Sequence, residues 1–254
     1  MGLYASTQQF IKAGFALFYR NIHIQNQQGV PAKGPVLLVA NHPNSFMDAL
    51  LIGAYLPRPT HFLARGDAFK NRILGSIFKA FRMLPVYRAS EGKENMEKNF
   101  ETFDASFEVI NKQECMLIFG EGLSVNNWEL RPLKKGPARI TKRAWESNGP
   151  AQNLVIIPVG LTYSHYEGAG KSVIINYGTP ITKADFQDGL NTANFTPWLN
   201  GQISAQLNEL ACFNASLSEN REAQRQFKTH WKGAEQNDVK ALAAWMTFKC
   251  AIAD

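Results

Sequence analysis

The chain has 254 residues, which suits one α/β domain with short additions, and its apolar content is high enough to bury a full core. Its net charge of +6 is compatible with nucleic acid, anionic lipid or acidic substrates and does not choose among them. The three cysteines, Cys115, Cys212 and Cys250, lie far apart. Their spacing excludes a cysteine-based metal motif and indicates thiols in a reducing compartment.

The first segment, residues 3–24, combines a dense set of aromatic and aliphatic residues with a polar side, which predicts an amphipathic helix. Such a helix either packs on the core or lies in a membrane interface, and the sequence leaves both possibilities open. No apolar run reaches the roughly 20 residues needed to cross a bilayer. The start of the chain also lacks a signal-peptide pattern, so we expect no leader and no spanning helix.

Residues 36–56 form the stretch around which the rest of the chain is organised. Residues 36–40 read Val-Leu-Leu-Val-Ala, which predicts a buried strand, and residues 41–45 are polar and contain a proline, which predicts a turn. A helix is expected from about residue 49. His42 therefore lies in the loop after a strand, where α/β folds place their chemistry.

His42 and Asp48 together suggest a proton-transfer pair. A neutral imidazole accepts a proton from a hydroxyl near neutral pH, and a carboxylate on its other nitrogen fixes the tautomer. The same spacing also allows a capping box between Ser45 and Asp48 at the start of the helix. From this stretch alone the two readings are equally supported.

The chain beyond residue 56 alternates between strand and helix patterns. The predicted elements are a strand at 60–64, a basic amphipathic helix at 65–82, a strand at 83–88, a helix at 91–111, a strand at 115–119, a helix at about 138–147, and strands at 154–162 and 172–177. This order predicts an α/β fold with a mixed, largely parallel central sheet flanked by helices. The basic helix has either a solvated basic face or a membrane-facing surface.

Two further loops carry charged or flexible residues. Glu121 and Gly122 follow the strand at 115–119, so they place a carboxylate and flexible backbone at a strand end. Four basic residues, Arg131, Lys134, Lys135 and Arg139, gather near a helix start, which is a plausible phosphate site, although a solvated basic loop is the simpler reading. From residue 182 onward the pattern predicts a helical C-terminal extension.

Four blocks within residues 35–180 resemble the phospholipid and glycerol acyltransferase family, which includes lysophosphatidate and glycerol-phosphate acyltransferases. The blocks are Asn41-His42 to Asp48, then residues 84–88 ending in Arg88, then residues 118–124 with residues 133–136 beyond, and finally residues 157–159. Any one block is weak, but four in the family's order are specific. The resemblance implies three regions: an N-terminal amphipathic, membrane-associated helix in 1–30, an acyltransferase α/β domain in 31–181, and a helical extension in 182–254.

Two departures from the family pattern are visible. The family usually has four residues between the histidine and the aspartate, whereas Pro43 to Met47 make five here, a spacing similar to that of some eukaryotic glycerol-phosphate acyltransferases. The third block usually reads Phe-Pro-Glu-Gly-Thr-Arg. Here Gly120 replaces the proline and Ser124 replaces the arginine, which removes one expected phosphate partner.

The resemblance implies transfer of a fatty acyl group from an acyl thioester to a hydroxyl of a glycerol-phosphate lipid precursor, first of all 1-acyl-glycerol-3-phosphate. His42 is expected as general base and Asp48 as the residue that orients it, with no cofactor and no metal. Expected partners are an acyl-coenzyme A or acyl-carrier-protein donor, a phosphorylated glycerol or lysolipid acceptor, and the cytoplasmic face of a membrane, bound peripherally. The expected substrate-binding residues are Asn41, Arg88, Glu121, Gly122, Lys134, Lys135 and Arg139.

Three other functions compete with this reading. A metal hydrolase could use His42, Asp48 and Glu121, although one histidine with scattered carboxylates is a thin ligand set. A lipid-binding module without catalysis would use the same basic and aromatic faces, and it gains support from the missing arginine. Nucleic-acid binding could use the positive charge, but the sequence contains no groove-reading or stacking motif, so we expect none.

Overall fold

A computed structural model describes residues 3–72, 75, 76, 78, 81–86, 93–126, 129–164, 166 and 168–211. The helices in this part are α1 (Leu3–Phe18), α2 (Phe46–Tyr55), α3 (Lys93–Asn111), α4 (Gly136–Glu146) and α5 (Phe195–Leu210). The strands are β1 (Tyr19–Gln25), β2 (Val36–Ala40), β3 (Thr60–Arg65), β4 (Met83–Val86), β5 (Cys115–Phe119), β6 (Val155–Tyr163) and β7 (Lys171–Tyr177). Short 3₁₀ turns lie at Gln27–Gly29, Gly66–Phe69, Pro150–Asn153 and Lys183–Asp185.

The strands form one sheet in the order β1-β7-β6-β2-β5-β3-β4. Every described pairing is parallel except that of β6 with β7, which is antiparallel. The fold is therefore a mixed, mostly parallel sheet flanked by helices, and the fold class predicted from the sequence is confirmed.

The central strand β2 is buried on both faces, as its unbroken apolar run requires. Val36, Leu38 and Ala40 face the core layer shared with α1 and α2. Leu37 and Val39 face the opposite core layer, which α4 and α5 cover. Because side chains alternate along a strand, this five-residue strand contributes side chains to both core layers.

The carboxyl edge of the sheet is formed by the ends of the parallel strands, and the described strands that flank the His42 loop meet there. The parallel strands β2, β5 and β6 end here at Ala40, Phe119 and Tyr163, while β1 and β7 run the other way and begin here at Tyr19 and Lys171. The loop that carries His42 leaves the middle of this edge. Open α/β sheets bind their ligands at the carboxyl ends of their strands, so this edge is where a site is expected.

The N-terminal prediction was wrong over its last six residues. The helix expected at residues 3–24 ends at Phe18, and residues 19–25 form edge strand β1, parallel to β7. Ile22 and Ile24 lie two residues apart, and this alternation packs β-branched side chains on a sheet. The predicted boundary at residue 30 therefore does not separate a helix from the domain, because β1 belongs to the sheet. In the described part of the chain, no helix is long and apolar enough to span a bilayer.

The C-terminal prediction of helix is confirmed for residues 195–210, and this helix packs in the core of the domain. Helix α5 buries Phe195, Leu199, Ile203 and Leu207 in the same core layer as α4, so residues up to 211 belong to the body of the domain and not to an appendage. Residues 212–254 lie outside the described residues, as do 73–74, 77 and 79–80 of the predicted basic helix and the expected phosphate ligand Arg88.

Candidate active site

His42 and Asp48 form a hydrogen-bonded pair beside the carboxyl end of β2. The Nδ1 atom of His42 lies 3.0 Å from Oδ2 of Asp48. The imidazole stacks on the ring of Phe119 at the end of β5, with ring centroids 3.7 Å apart and planes 12° apart. The Nε2 atom makes no hydrogen bond to the described residues, so the ring has one nitrogen held by a carboxylate and the other available to a ligand.

Asp48 is fully buried in the first turn of α2 and its carboxylate is saturated with donors. Besides the His42 contact, Oδ2 accepts the N–H of Asn44 at 2.8 Å and Oδ1 accepts the hydroxyl of Tyr163 at 2.5 Å. Burial raises the pKa of Asp48 from its ordinary value, while the three hydrogen bonds act in the opposite direction.

The capping-box alternative is not what the structure contains. Ser45 makes no side-chain capping bond to α2, and its backbone has the rare combination of φ 51° and ψ −132°. Its N–H donates to the hydroxyl of Ser124 at 2.8 Å. Such a backbone conformation costs about 1–3 kcal/mol and persists because the surrounding contacts hold it in place. The residue that replaces the family arginine thus fastens the His42 loop to the loop after β5.

Glu121 also links the loop after β5 to the loop that carries His42. Its Oε1 accepts the N–H of His42 at 2.9 Å, and its Oε2 accepts the Nε–H of Arg131 at 2.9 Å and the Arg131 backbone N–H at 3.2 Å. Arg131 also donates to the carbonyl of Leu123. Glu121 is 5% exposed and its two oxygens are used within the protein, so it positions the loop that carries His42, and its expected contact with substrate stays a prediction.

Asn41 holds the loop to β6. Its Nδ2 donates to the Leu161 carbonyl at 2.9 Å, and its Oδ1 accepts the Leu161 N–H at 2.7 Å. Its side chain is buried and both of its polar groups are used. The expected role of Asn41 in substrate binding therefore receives no support from this geometry and stays a prediction.

The glycines after β5 shape the loop. Gly122 has φ +71°, a conformation that glycine adopts without strain, and a Cβ on it would lie 3.1 Å from Cγ of Lys134. The N–H groups of Gly120 and Gly122 donate to the carbonyls of Ala40 and Phe119. These two amides are therefore already used in hydrogen bonds that hold the loop.

Of the expected phosphate ligands, Lys134 lines the cavity beside His42, together with Gly136 and Pro137 at the start of α4. Lys135 and Arg139 are exposed and are absent from the described residues that line this cavity. The guanidinium of Arg139 lies over the ring of Phe103, 5.9 Å from its centroid. The structure thus brings Lys134 to His42 and leaves the other two at the periphery.

His42 opens onto a cavity of about 670 Å³ whose walls are mainly apolar. A second, apolar cavity of about 300 Å³ lies between α1 and α2. The two share five wall residues, namely Phe46, Ala49, Phe62, Phe78 and Met83. The two cavities are therefore adjacent, and His42 lies in the wall of the first one.

These features define an α/β protein in which a partly exposed histidine pairs with a buried aspartate at the carboxyl edge of its sheet, next to an apolar cleft. Such a pair suits general base chemistry. In the described ranges, no three side chains of His, Cys, Asp or Glu gather in a way that could hold a metal ion.

Comparison with known proteins agrees with this class. A family model described as Acyltransferase matches residues 21–162, more than half of the chain. The protein therefore belongs to the Acyltransferase family, and the resemblance drawn from the four blocks is confirmed.

Among sequence relatives, an uncharacterized acyltransferase of Schizosaccharomyces pombe is 22% identical over 249 residues, covering 65% of this chain and 37% of the relative. Glycerol-3-phosphate O-acyltransferase 2 of Saccharomyces cerevisiae is 32% identical over 83 residues, covering 33% and 11%. The 1-acyl-sn-glycerol-3-phosphate acyltransferase of Bacillus subtilis is 24% identical over 122 residues, covering 48% and 56%. The matched segments thus span at most about half of each relative's length.

Among solved structures, the chain resembles the 1-acyl-sn-glycerophosphate (LPA) acyltransferase of Thermotoga maritima with a TM-score of 0.62 and 14% identity. The match covers 82% of this chain and 79% of that one. At this identity the likeness shows a shared fold.

Two residues of the site were missed in the sequence. Arg131 lies in the basic segment that suggested a phosphate site, but only the structure reveals its bond to Glu121. Tyr163 directly follows the predicted strand at 154–162. A polar residue at the end of a buried strand was the available signal.

Proposed function

We propose that this protein transfers a fatty acyl group from an acyl thioester to a hydroxyl of a phosphorylated glycerol lipid precursor. The observation that carries the proposal is the 3.0 Å contact between His42 Nδ1 and Asp48 Oδ2 beside a mainly apolar cavity. Membership of the Acyltransferase family supports it.

In the proposed reaction, Nε2 of His42 takes the proton of the acceptor hydroxyl while Asp48 holds Nδ1–H and stabilises the imidazolium. The acceptor oxygen forms a bond to the thioester carbonyl carbon. When the tetrahedral intermediate collapses, the carbon–sulfur bond breaks and the leaving thiolate takes the proton back from His42. The acceptor itself is the nucleophile, so no covalent enzyme intermediate is needed.

The apolar space beside His42 suits the acyl chain of the donor. Its two cavities share aromatic and aliphatic walls, one of them beside the imidazole and the other beside the interior face of α1. Burying each CH₂ group of a chain there contributes about 0.8 kcal/mol. The donor would be acyl-coenzyme A or an acyl-carrier-protein thioester, and no cofactor takes part.

The acceptor phosphate would lie between Lys134 and the start of α4. A helix N-terminus favours anions because its first N–H groups have no partner within the helix, and Lys134 adds a full charge. Arg88, Lys135 and Arg139, expected from the sequence, would extend this basic region. The first acceptor candidate is 1-acyl-glycerol-3-phosphate, which appears in the names of the Bacillus and Thermotoga relatives in equivalent forms. The second is glycerol-3-phosphate, which the yeast relative's name contains.

Peripheral attachment to the cytoplasmic face of a membrane fits the outer face of α1. The exposed residues on that face carry no charge, and they are Ser6, Gln9, Phe10, Ala13, Gly14, Ala16 and Leu17. Phe10 is 82% exposed and Leu17 is 90% exposed. An uncharged face that projects two large apolar side chains next to a lipid-sized cavity suits an enzyme of phospholipid biosynthesis whose substrates reside in a bilayer.

The test is acyl transfer by purified protein in detergent micelles. Acyl-coenzyme A is supplied with 1-acyl-glycerol-3-phosphate, with glycerol-3-phosphate or with neither, while thiol release and lipid product are followed together. We expect product with one acceptor, and a loss of about 10²- to 10⁴-fold in kcat for His42→Ala. Parallel reactions with an acyl-carrier-protein donor identify the donor class.

His61→Ala is the matched control, because His61 also pairs with a carboxylate, Glu114 at 2.5 Å, but at the opposite edge of the sheet. That variant should keep its activity. Thiol release without an acceptor would indicate a thioesterase instead. No turnover with any donor and acceptor pair would favour a lipid-binding protein without catalysis.

A further inference from the structure

Tyr163 touches the catalytic pair from the side of the sheet. It is the last residue of β6, it is 1% exposed, and its hydroxyl donates to Oδ1 of Asp48 at 2.5 Å. The two residues are 115 positions apart in the chain. A buried phenol needs a hydrogen-bond partner, and here that partner is the carboxylate next to His42.

The three donors to Asp48 divide its two oxygens between them. The His42 ring and the Asn44 amide both belong to the loop and bind Oδ2, whereas Tyr163 alone binds Oδ1. Tyr163 is fixed by the antiparallel ladder that pairs it with Val173. The carboxylate is thus bonded to the sheet through Oδ1 and to the loop that carries His42 through Oδ2.

A buried cation supports the same arrangement. Lys171, at the start of β7, is 2% exposed, and its Nζ lies 5.7 Å from the ring centroid of Tyr163 and 5.4 Å from that of Phe18. Its ammonium donates to the carbonyl of Tyr166 at 2.5 Å. A lysine held over the ring of Tyr163 polarises the phenol as a donor and favours negative charge on Asp48.

We propose that Tyr163 is a positioning residue that holds Asp48 ionised and turned so that Oδ2 faces Nδ1 of His42. The proposal rests on the proposed function, since it assigns the residue a part in the same general base step. It concerns orientation and charge, because Tyr163 does not line the cavity where the substrates would bind.

The expected effect on pH dependence follows from the groups around Asp48. The titratable or charged groups that face it or its phenol partner are His42, Tyr19, Tyr163, Tyr166 and Lys171. Burial raises the pKa of the three tyrosines, so they stay neutral in the working range, and burial lowers the pKa of Lys171. Removing the Tyr163 hydroxyl removes a bond to the ionised form of Asp48, which raises the pKa of that carboxyl further.

The experiment compares Tyr163→Phe with Tyr177→Phe. Tyr177 is also buried in the sheet, but its hydroxyl donates to no carboxylate in the described ranges and is remote from Asp48. We expect Tyr163→Phe to lower kcat about 10- to 100-fold with KM for both substrates unchanged, because one hydrogen bond to a charged group is lost. The acid limb of its kcat/KM profile should move to higher pH by about one unit. Tyr177→Phe should match the wild type.

Two further measurements keep the proposal testable if Tyr163→Phe is poorly folded or no acyl transfer is found. Introducing 3-fluorotyrosine at position 163 keeps the hydroxyl and strengthens it as a donor, so the acid limb should move to lower pH. In ¹⁵N-histidine-labelled protein, the Nδ1 proton of His42 should shift in Tyr163→Phe and not in Tyr177→Phe, and this readout needs no turnover.

An unchanged pH profile and an unchanged Nδ1 proton in Tyr163→Phe would show that Tyr163 only packs, and would overturn the proposal. If the Nδ1 proton responds as expected while the wild type transfers no acyl group, the positioning role stands and the proposed function fails.

Discussion

At the scale of single residues, the stability of the folded protein and the proposed reaction place opposite demands on the Asp48 carboxyl. It is fully buried, yet the proposed reaction needs it ionised. Burial raises its pKa above the ordinary 3.8, so the folded protein holds this proton more tightly than the unfolded chain does. The stability that the group contributes is therefore present below about pH 3.8 and is lost as the pH rises through the raised value.

Asp48→Asn tests this conflict. At neutral pH the wild type bears a desolvated carboxylate and the variant a neutral amide of the same size, so the unfolding temperature should stay the same or rise. As the pH rises above about 3.8, its free energy of unfolding should fall less than that of the wild type. Activity should fall about 10⁴-fold, because an amide does not fix the required tautomer of His42. Thermal unfolding across pH and kcat measure both effects.

A lower unfolding temperature with retained acyl transfer would contradict both parts of this prediction. His61→Ala serves again as the control, since it alters a histidine–carboxylate pair outside the site. Comparing Asp48→Asn with His61→Ala separates the effect of losing any histidine–carboxylate pair from the effect of losing the His42–Asp48 pair.

The residues of the site were predictable from sequence to different degrees. His42 and Asp48 are six positions apart, and the strand, turn and helix between them are local patterns. Tyr163, Arg131 and Ser124 enter the site through contacts between distant segments, which local periodicity does not encode. The same limit explains Asn41, whose side chain is occupied by a strand 120 positions away.

At the scale of elements, the close approach of α5 to β6 shows why the C-terminal helix belongs to the domain. A Cβ on Gly160 would lie 2.6 Å from Cβ of Leu210 and 2.7 Å from its backbone carbon. Only glycine allows this distance. The helical pattern of α5 was visible in the sequence, but the glycine that receives it lies in a strand about 50 positions earlier.

Gly160→Ala should therefore destabilise the protein by about 1–3 kcal/mol, because the contact is with backbone that cannot rotate away. Its control is Gly201→Ala within α5, where a Cβ would meet nothing within 4 Å. That change should stabilise by about 0.4–1 kcal/mol, since alanine restricts the unfolded chain and favours the helix. Denaturant unfolding measures both, and equal effects of the two changes would mean that α5 does not pack on β6.

The N-terminal elements show a case in which the local sequence pattern predicted the wrong secondary structure. Residues 3–24 are apolar in both halves, and only the alternation of Ile22 and Ile24 marks the change from helix to strand at Tyr19. The partner of β1 is β7, about 150 positions away. Pairing with β7 completes a strand whose local signal is only a few residues long, as tertiary context often overrides propensity.

At the scale of the whole molecule, large apolar side chains are exposed on α1 and at the start of α2. The uncharged outer face of α1 projects Phe10 and Leu17, and Phe46, which is 57% exposed, stands at the wall common to both cavities. The net charge is +6. A bilayer with anionic headgroups would bury the apolar side chains in its interface and would attract the net positive charge of the protein.

The double change Phe10→Ser with Leu17→Ser should weaken binding to anionic vesicles about tenfold or more, because each side chain would lose apolar burial in the interface. The matched control is Ala13→Ser with Ala16→Ser, which places the same hydroxyls on the same exposed face and removes little apolar area.

Cosedimentation with vesicles measures binding, and kcat/KM is compared for a bilayer-borne and a short-chain, water-soluble acceptor. Only the bilayer-borne acceptor should be turned over more slowly, because α1 would deliver the enzyme to the surface without touching the reacting atoms. Equal vesicle binding by both double variants would mean that the outer face of α1 meets something other than a membrane.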